Sequence, residues 1–380
     1  MSRSTARSRW VGVMALSLAA ATGAQAQETQ TPPPSTMADA VTRELEELVA
    51  QSRYVVGIEN EQLVGSGVGW LRDASRTARF VVLGEEHGNG GLAAFARAYW
   101  RELRAVGFEY AAFEIDPWVA AEMERTMRRG GVGAWNAFLR SAGGPDAVPF
   151  FGWRGEADLA AAVTSTTTVH HVPRLWGLDQ VFLGIAPYLL RQIAESTRDS
   201  GARRSADSLY REARADSQWL GRVAPSKLRQ LREMLATTGD ISGTQVVDAM
   251  IVSRSIYGAF IGTGERNPYL ANLQREQLMK RAFHERYRAA TTADGAPARV
   301  LVKVGAYHAF RGATPTHVQG LGGFVSELAI AEDAQALTIL LVCGPGSAIR
   351  TNEGELPCSE WFAKTWGALE PQVEREAFTM

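Results

Sequence analysis

Phe80-Val81-Val82-Leu83 is an apolar run with the length of a buried strand, and it gives way at once to Gly84-Glu85-Glu86-His87-Gly88. Two carboxylates and an imidazole thus stand where a strand ends. Asn89-Gly90-Gly91 supplies a turn, and Leu92, Phe95, Ala96, Tyr99, Leu103 and Val106 then recur at helical spacing on one face. Arg97, Arg101 and Arg104 lie elsewhere on that helix, and Gly107 ends it. Tyr110-Ala111-Ala112-Phe113 is a second strand that runs into Glu114. The stretch is a β-α-β unit with ionisable residues at the carboxyl ends of both strands, the edge where open α/β sheets collect their ligands and chemistry.

Outward from this unit, residues 117–129 and 132–139 read as short helices and 142–149 as a loop. Residues 174–178 read as a third strand that ends at Asp179. Between 185 and 290 the chain is rich in arginine and leucine and nearly free of β runs, which predicts four or five helices inserted into the α/β frame. The last is the clearest. Asn267 is a cap, Pro268 suits the first helical position, and Leu273, Glu276, Met279, Lys280, Phe283 and Tyr287 share a face. Glu276 therefore sits in an apolar stripe, where a carboxylate needs a partner, Arg275 and Lys280 being the nearest in sequence. Val300-Leu301-Val302-Lys303-Val304 is a fourth strand, followed by Gly305-Ala306-Tyr307-His308, and 336–342 a fifth. The expected fold is α/β: a central, largely parallel sheet flanked by helices, with a helical insertion before the strand that carries the second Gly-x-x-His. Gly65-Ser66-Gly67-Val68-Gly69 reads as a turn and lacks dinucleotide-binding spacing.

The chain of 380 residues is 46% hydrophobic, enough for a sizeable core. Residues 1–26 have the form of a secretory signal: Arg3, Arg7 and Arg9, an apolar stretch, then Ala24-Gln25-Ala26 as a cleavage site, with the cut expected after Ala26. Residues 27–52 read as a proline-containing linker with a helix over 37–52 along Val41, Leu45 and Leu48, and 53–380 as one α/β domain that includes the insertion. Taking the three signal arginines from 40 basic side chains leaves 37 against 41 acidic, a formal charge of −4, which argues against a nucleic-acid partner. No stretch is long enough to span a bilayer. An exported, periplasmic protein without a transmembrane segment is expected. In that compartment Cys343 and Cys358, the two cysteines, should form a disulfide across an exposed loop.

Gly84–His87 and Gly305–His308 share one form, a strand followed by Gly-x-x-His, with each glycine permitting a tight exit from the sheet. A single such motif is commonly no more than a loop histidine. Two at strand ends, with Glu114 at a third and Asp179 at a fourth, point to a site for activating water. Asp179 also has the simpler reading of a helix cap. Two chemistries stay open: a carboxylate-oriented histidine as general base, or two histidines and a glutamate holding a divalent metal. The backbone N–H groups that start the helix after Gly90 are candidates for holding a developing oxyanion. His170 and His171 read as surface loop, and His284 as exposed. Trp118, Trp135, Trp153 and Trp176 suit either a pocket near the strand ends or ordinary core. There is no G-x-S-x-G, Walker or H-E-x-x-H motif.

Leu83-Gly84-Glu85-Glu86-His87-Gly88, Phe113-Glu114 and Val304-Gly305-Ala306-Tyr307-His308, in that order, resemble the superfamily that joins erythromycin esterases, the Tiki and TraB metalloproteases and the ChaN-type haem-binding lipoproteins. Arg275-Glu276-x-x-Met279 and Gly177-Leu178-Asp179 are similar to elements of the esterase branch. That branch implies hydrolysis of an ester or related bond of a small molecule without a cofactor, with His87 as general base supported by Glu85, Glu114, Arg275, Glu276, Asp179 and His308. The Tiki branch implies a metallopeptidase with His87, Glu114 and His308 on a divalent metal, and the ChaN branch implies a haem carrier. The chain departs from the esterases at Glu86 and at Ala309-Phe310-Arg311-Gly312, which argues against a macrolide substrate, and it lacks a lipobox cysteine.

Overall fold

The computed structural model describes residues 51–165, 172–261, 266–344, 347–351, 354–358 and 378–379, with Ala40, Arg43, Glu44, Glu47 and Leu48 before them. The signal peptide, the linker, most of the 37–52 helix and the pair His170-His171 lie outside the described residues. The elements below belong to the unit Leu48–Met380.

A hairpin comes first: β1 (Val55–Glu59) and β2 (Gln62–Val64), joined through Asn60 and Glu61, both at positive φ. That is the two-residue turn whose twist matches the strands. The 65–69 turn is shorter than expected. A helix already begins at Gly67 and runs to Thr77, because Gly67, Leu71 and Ser75 form a buried face. Then come β3 (Ala78–Glu85), β4 (Tyr110–Phe113), β5 (Leu175–Gly177), β6 (Val300–Gly305) and β7 (Gln335–Leu341). They form one parallel sheet in the order β5-β4-β6-β3-β7. The expected fold class is the one observed.

Parallel strands covered on both faces read as continuous apolar runs, and the central strands do. In β3, Phe80 and Val82 enter one core with Met279, Phe283 and Tyr287, while Val81 and Leu83 enter the other with Phe95, Trp100 and Trp135. Alternation along the strand sorts them. The same alternation aims Glu85, in step with Val81 and Leu83, and Lys303, in step with Leu301, into the face of Val81 and Leu83. β3 outlasts its apolar run by two residues because Gly84 and Glu85 pair with both neighbouring strands.

The stretch Pro117–Ala142 is two helices that meet at a kink, Gly130 and Gly131 having non-helical backbone angles, in keeping with the two short helices expected at 117–129 and 132–139. Among the described residues six helical segments fill the insertion, where four or five were expected, from Ala186–Ser196 to Pro268–Asp294, the last capped by Asn267, whose side-chain oxygen accepts the Leu270 N–H at 3.1 Å. Trp135 and Trp176 are core residues whose indole N–H groups donate to the Phe151 and Pro173 carbonyls. His284 is half-buried, edge-on to Phe324. The helix Leu321–Ala331 was not expected; its polar signals are sparse because much of it is buried. Cys343 and Cys358 are bonded. What lies between them is not simply an exposed loop but an antiparallel hairpin, β8 (Ala348–Thr351) and β9 (Gly354–Pro357).

Candidate functional site

Register builds the site. Glu85 pairs with Gly305, and Phe113 with Lys303, so Glu114 stands one step beyond Phe113, at the level of the β6 end. Asp179 lies two residues past Gly177, the partner of Phe113. Three adjacent strands and the neighbouring β5 thus deliver their carboxyl ends to one place.

Glu114 is the centre. Its Oε2 accepts the Gly305 N–H at 2.7 Å and its Oε1 accepts Arg275 Nη2 at 2.7 Å. His87 Nε2 approaches Oε2, and His308 Nε2 approaches Oε1, each at 3.4 Å. Each imidazole has a second, private carboxylate: His87 Nδ1 bonds Glu85 Oε1 at 3.1 Å, and His308 Nδ1 bonds Glu276 Oε1 at 2.6 Å. Arg275 holds Asp179 by two bonds, Nε at 3.0 Å and Nη2 at 2.5 Å. All seven residues singled out in the sequence therefore meet.

Several roles differ from expectation. Glu276 pairs with His308, not with Arg275 or Lys280; Lys280 donates instead to the Gln319 carbonyl. Near the site a helix is capped by Asp116, on the N–H groups of Trp118 and Val119, while Asp179 serves Arg275. The helix start after Gly90 is closed to an oxyanion at two of its donors, since the Asn89 side chain takes the Gly91 and Leu92 N–H groups. The glycines of the two motifs do more than turn the chain. A Cβ at Gly305 would lie 2.8 Å from His87 Nε2, so the second motif's glycine makes room for the first motif's histidine. A Cβ at Gly84 would lie 2.5 Å from the Ala309 Cβ, beside the turn that carries His308.

The electrostatics follow from burial against pairing. Burial works against charge on His87, but Glu114 and Glu85 outweigh it and raise the imidazole to about 9. His308 is also raised to about 9, by Glu114 and Glu276 against burial and the Arg275 charge. Glu114 resists burial and is held well below the carboxylate range by His308, Arg275 and His87. Burial lifts Asp116 to about 7, helped by the Asp179 charge. At neutral pH both imidazoles carry a proton.

Three participants were not singled out in the sequence. Lys303, buried, donates to Glu85 Oε1 at 2.5 Å and to both oxygens of Glu156 at 2.9 Å. Its signal was a lysine inside a run of valines. Glu156, buried on the helix Arg154–Thr164, had no signal of its own. Phe150 stacks on His87 with ring centroids 3.8 Å apart.

The metal arrangement of His87, Glu114 and His308 does not fit these side chains. Both Glu114 oxygens already accept donors, Oε2 from the Gly305 N–H and Oε1 from Arg275, and each imidazole Nδ1 is taken by a carboxylate. Among the described residues no group of three or more is arranged to hold a metal ion. Nor, among them, is any helix long and apolar enough to cross a membrane.

No known family profile and no curated protein matches the chain. Solved structures do. A protein from Bacillus cereus is 13% identical with a TM-score of 0.51, over 84% of this chain and 78% of the other. A succinoglycan biosynthesis protein is 13% identical with a TM-score of 0.51, over 81% and 77%. A mutant of the erythromycin esterase EreC in its open conformation is 15% identical with a TM-score of 0.49, over 79% and 83%. The chain shares its α/β fold with the Bacillus cereus protein and with the succinoglycan biosynthesis protein.

Proposed function

We propose that the protein is an exported hydrolase of the erythromycin-esterase-like class, which uses a histidine to drive water onto an ester or related bond of a small molecule. The observation that carries this reading is the paired arrangement on Glu114: two imidazoles face the two oxygens of one carboxylate, each oriented from behind by a second, buried carboxylate. A carboxylate behind each ring fixes its orientation and leaves Nε2 as the working atom.

His87 is the more open of the two, 27% exposed against 13% for His308. It is assigned the base. Once neutral, its Nε2 takes a proton from water as the water oxygen bonds to the carbonyl carbon. His308, kept protonated by Glu114 and Glu276, faces the oxyanion that develops. When the C–O bond to the leaving group breaks, an imidazolium returns a proton to the departing oxygen, and the imidazoles are left as they began. Arg275, paired with both Glu114 and Asp179, offsets part of their negative charge and so lessens their repulsion of the oxyanion. Export is supported by the Cys343–Cys358 bond together with the arginine-led apolar leader.

The test is a panel of p-nitrophenyl esters of graded acyl length. His87→Ala should lower kcat/KM by about 10²–10⁴-fold, the usual contribution of a general base, and a chelator should leave the wild-type rate unchanged. Undiminished hydrolysis by His87→Ala would refute the assignment.

A further inference from the structure

Phe150 stands at φ +63°, in the left-handed region. A bulky residue stays there only when its surroundings force it, and such strain gathers at functional sites. The surroundings are specific. The Phe151 carbonyl accepts the Trp135 indole at 2.8 Å, and the Phe151 ring packs edge-on against Phe113, the last residue of β4, at 5.2 Å. The Phe151 N–H bonds the Pro149 carbonyl at 2.7 Å, and the Trp153 N–H bonds the Phe150 carbonyl at 2.9 Å. Neighbours on both sides therefore anchor the loop, and the Phe150 ring itself packs on the core and tilts against Trp153 at 5.8 Å. It is half-buried and lies flat on the His87 ring, with an interplanar angle of 17°.

Glu85 holds His87 at Nδ1 and Glu114 faces Nε2, both at the ring edge, so rotation about the line joining the two nitrogens is left to whatever lies against the ring face. An aromatic face against an imidazolium is attractive and removes that rotation. We propose that Phe150 is a positioning residue: its strained loop clamps the His87 imidazole in the plane that presents Nε2 to Glu114 and to incoming water. The proposal rests on the reading of His87 as the base.

The readout is the imidazole N–H signal of His87 in ¹⁵N-edited spectra, assigned by its loss in His87→Ala. A clamped, bonded Nδ1–H exchanges slowly enough to be seen. It should be present in the wild type and in Phe150→Tyr, and absent from Phe150→Gly and Phe150→Leu. Leucine keeps apolar bulk without a flat face; glycine also relieves the φ strain. Circular dichroism confirms the fold, and Phe150→Leu carries the test alone if Phe150→Gly fails to fold. Persistence of the signal in a folded Gly or Leu variant, or its absence from the wild type, overturns the proposal. The measurement needs no substrate. Failure of the wild type to hydrolyse any ester would count against the hydrolase reading and leave the Phe150 result standing.

Discussion

Lys303 shows what a single residue commits the site to. It is a cation in a strand covered on both faces, and its ammonium pairs with Glu85 and Glu156. Burial pushes its pKa down, but Glu156 and Glu85 outweigh this and raise it. Breaking one partner of a buried ion pair typically costs about 3–5 kcal/mol, because the other charge is stranded. Lys303→Met should therefore lose stability on that scale in urea unfolding, and the double variant Lys303→Met with Glu156→Gln should recover much of it. Equal losses in the two would contradict a mutual pairing. The lysine stands out in the sequence as a misfit among valines. Its partner Glu156 does not, because 147 residues separate them and nothing local marks a helix carboxylate as buried. Six residues of the Glu114 cluster are readable for the opposite reason: each sits at or just past a strand end or in an apolar stripe, where position itself is the signal; Arg275 was marked by the resemblance of Arg275-Glu276-x-x-Met279 to the esterase branch. Their pairings are not readable, since three-dimensional register decides whether Glu276 meets Lys280 or His308.

At the scale of elements, the bonded β8–β9 hairpin leans on the first histidine loop. The Cys343 N–H donates to Glu86 Oε2 at 2.8 Å, and the Asn89 amide donates to Cys343 Sγ at 3.1 Å and to the Ala348 carbonyl at 3.2 Å. Asn89 is also the cap of the helix Gly90–Ala105. Closing a loop of this length contributes about 3 kcal/mol in the chain-entropy model. Cys343→Ser with Cys358→Ser should lower unfolding stability by that order and speed amide exchange at residues 86–92. Unchanged exchange there would mean that the hairpin does not brace the loop. The strands and the capped helices were legible because their apolar patterns are long. The β1–β2 hairpin and the helix Leu321–Ala331 were not, the first being too short for periodicity and the second too uniformly apolar to show a face.

Across the whole molecule, five carboxylates (Glu85, Glu114, Glu156, Asp179 and Glu276) face four cationic groups, Arg275, Lys303 and two imidazolium rings, which ties the fold to pH. Each imidazole has its folded pKa near 9, against an ordinary value of 6.5. The stability it contributes is thus fully present below about 6.5 and is lost as pH rises through about 9. The urea midpoint should fall across that window and fall less in His308→Ala; a midpoint that rises with pH would contradict the charged pair. The same two protons govern the chemistry. His87 must lose its proton to act as base while His308 keeps its own, so the required combination is scarce at neutral pH and most abundant near pH 9. The most direct test is kcat/KM for p-nitrophenyl ester hydrolysis between pH 5.5 and 10.5, with chelator present. The expected profile climbs about tenfold per pH unit at neutral pH, peaks near pH 9 and then declines. A rate that is flat through neutral pH, or that vanishes with chelator and returns with a divalent ion, would contradict metal-free catalysis by the two histidines on Glu114.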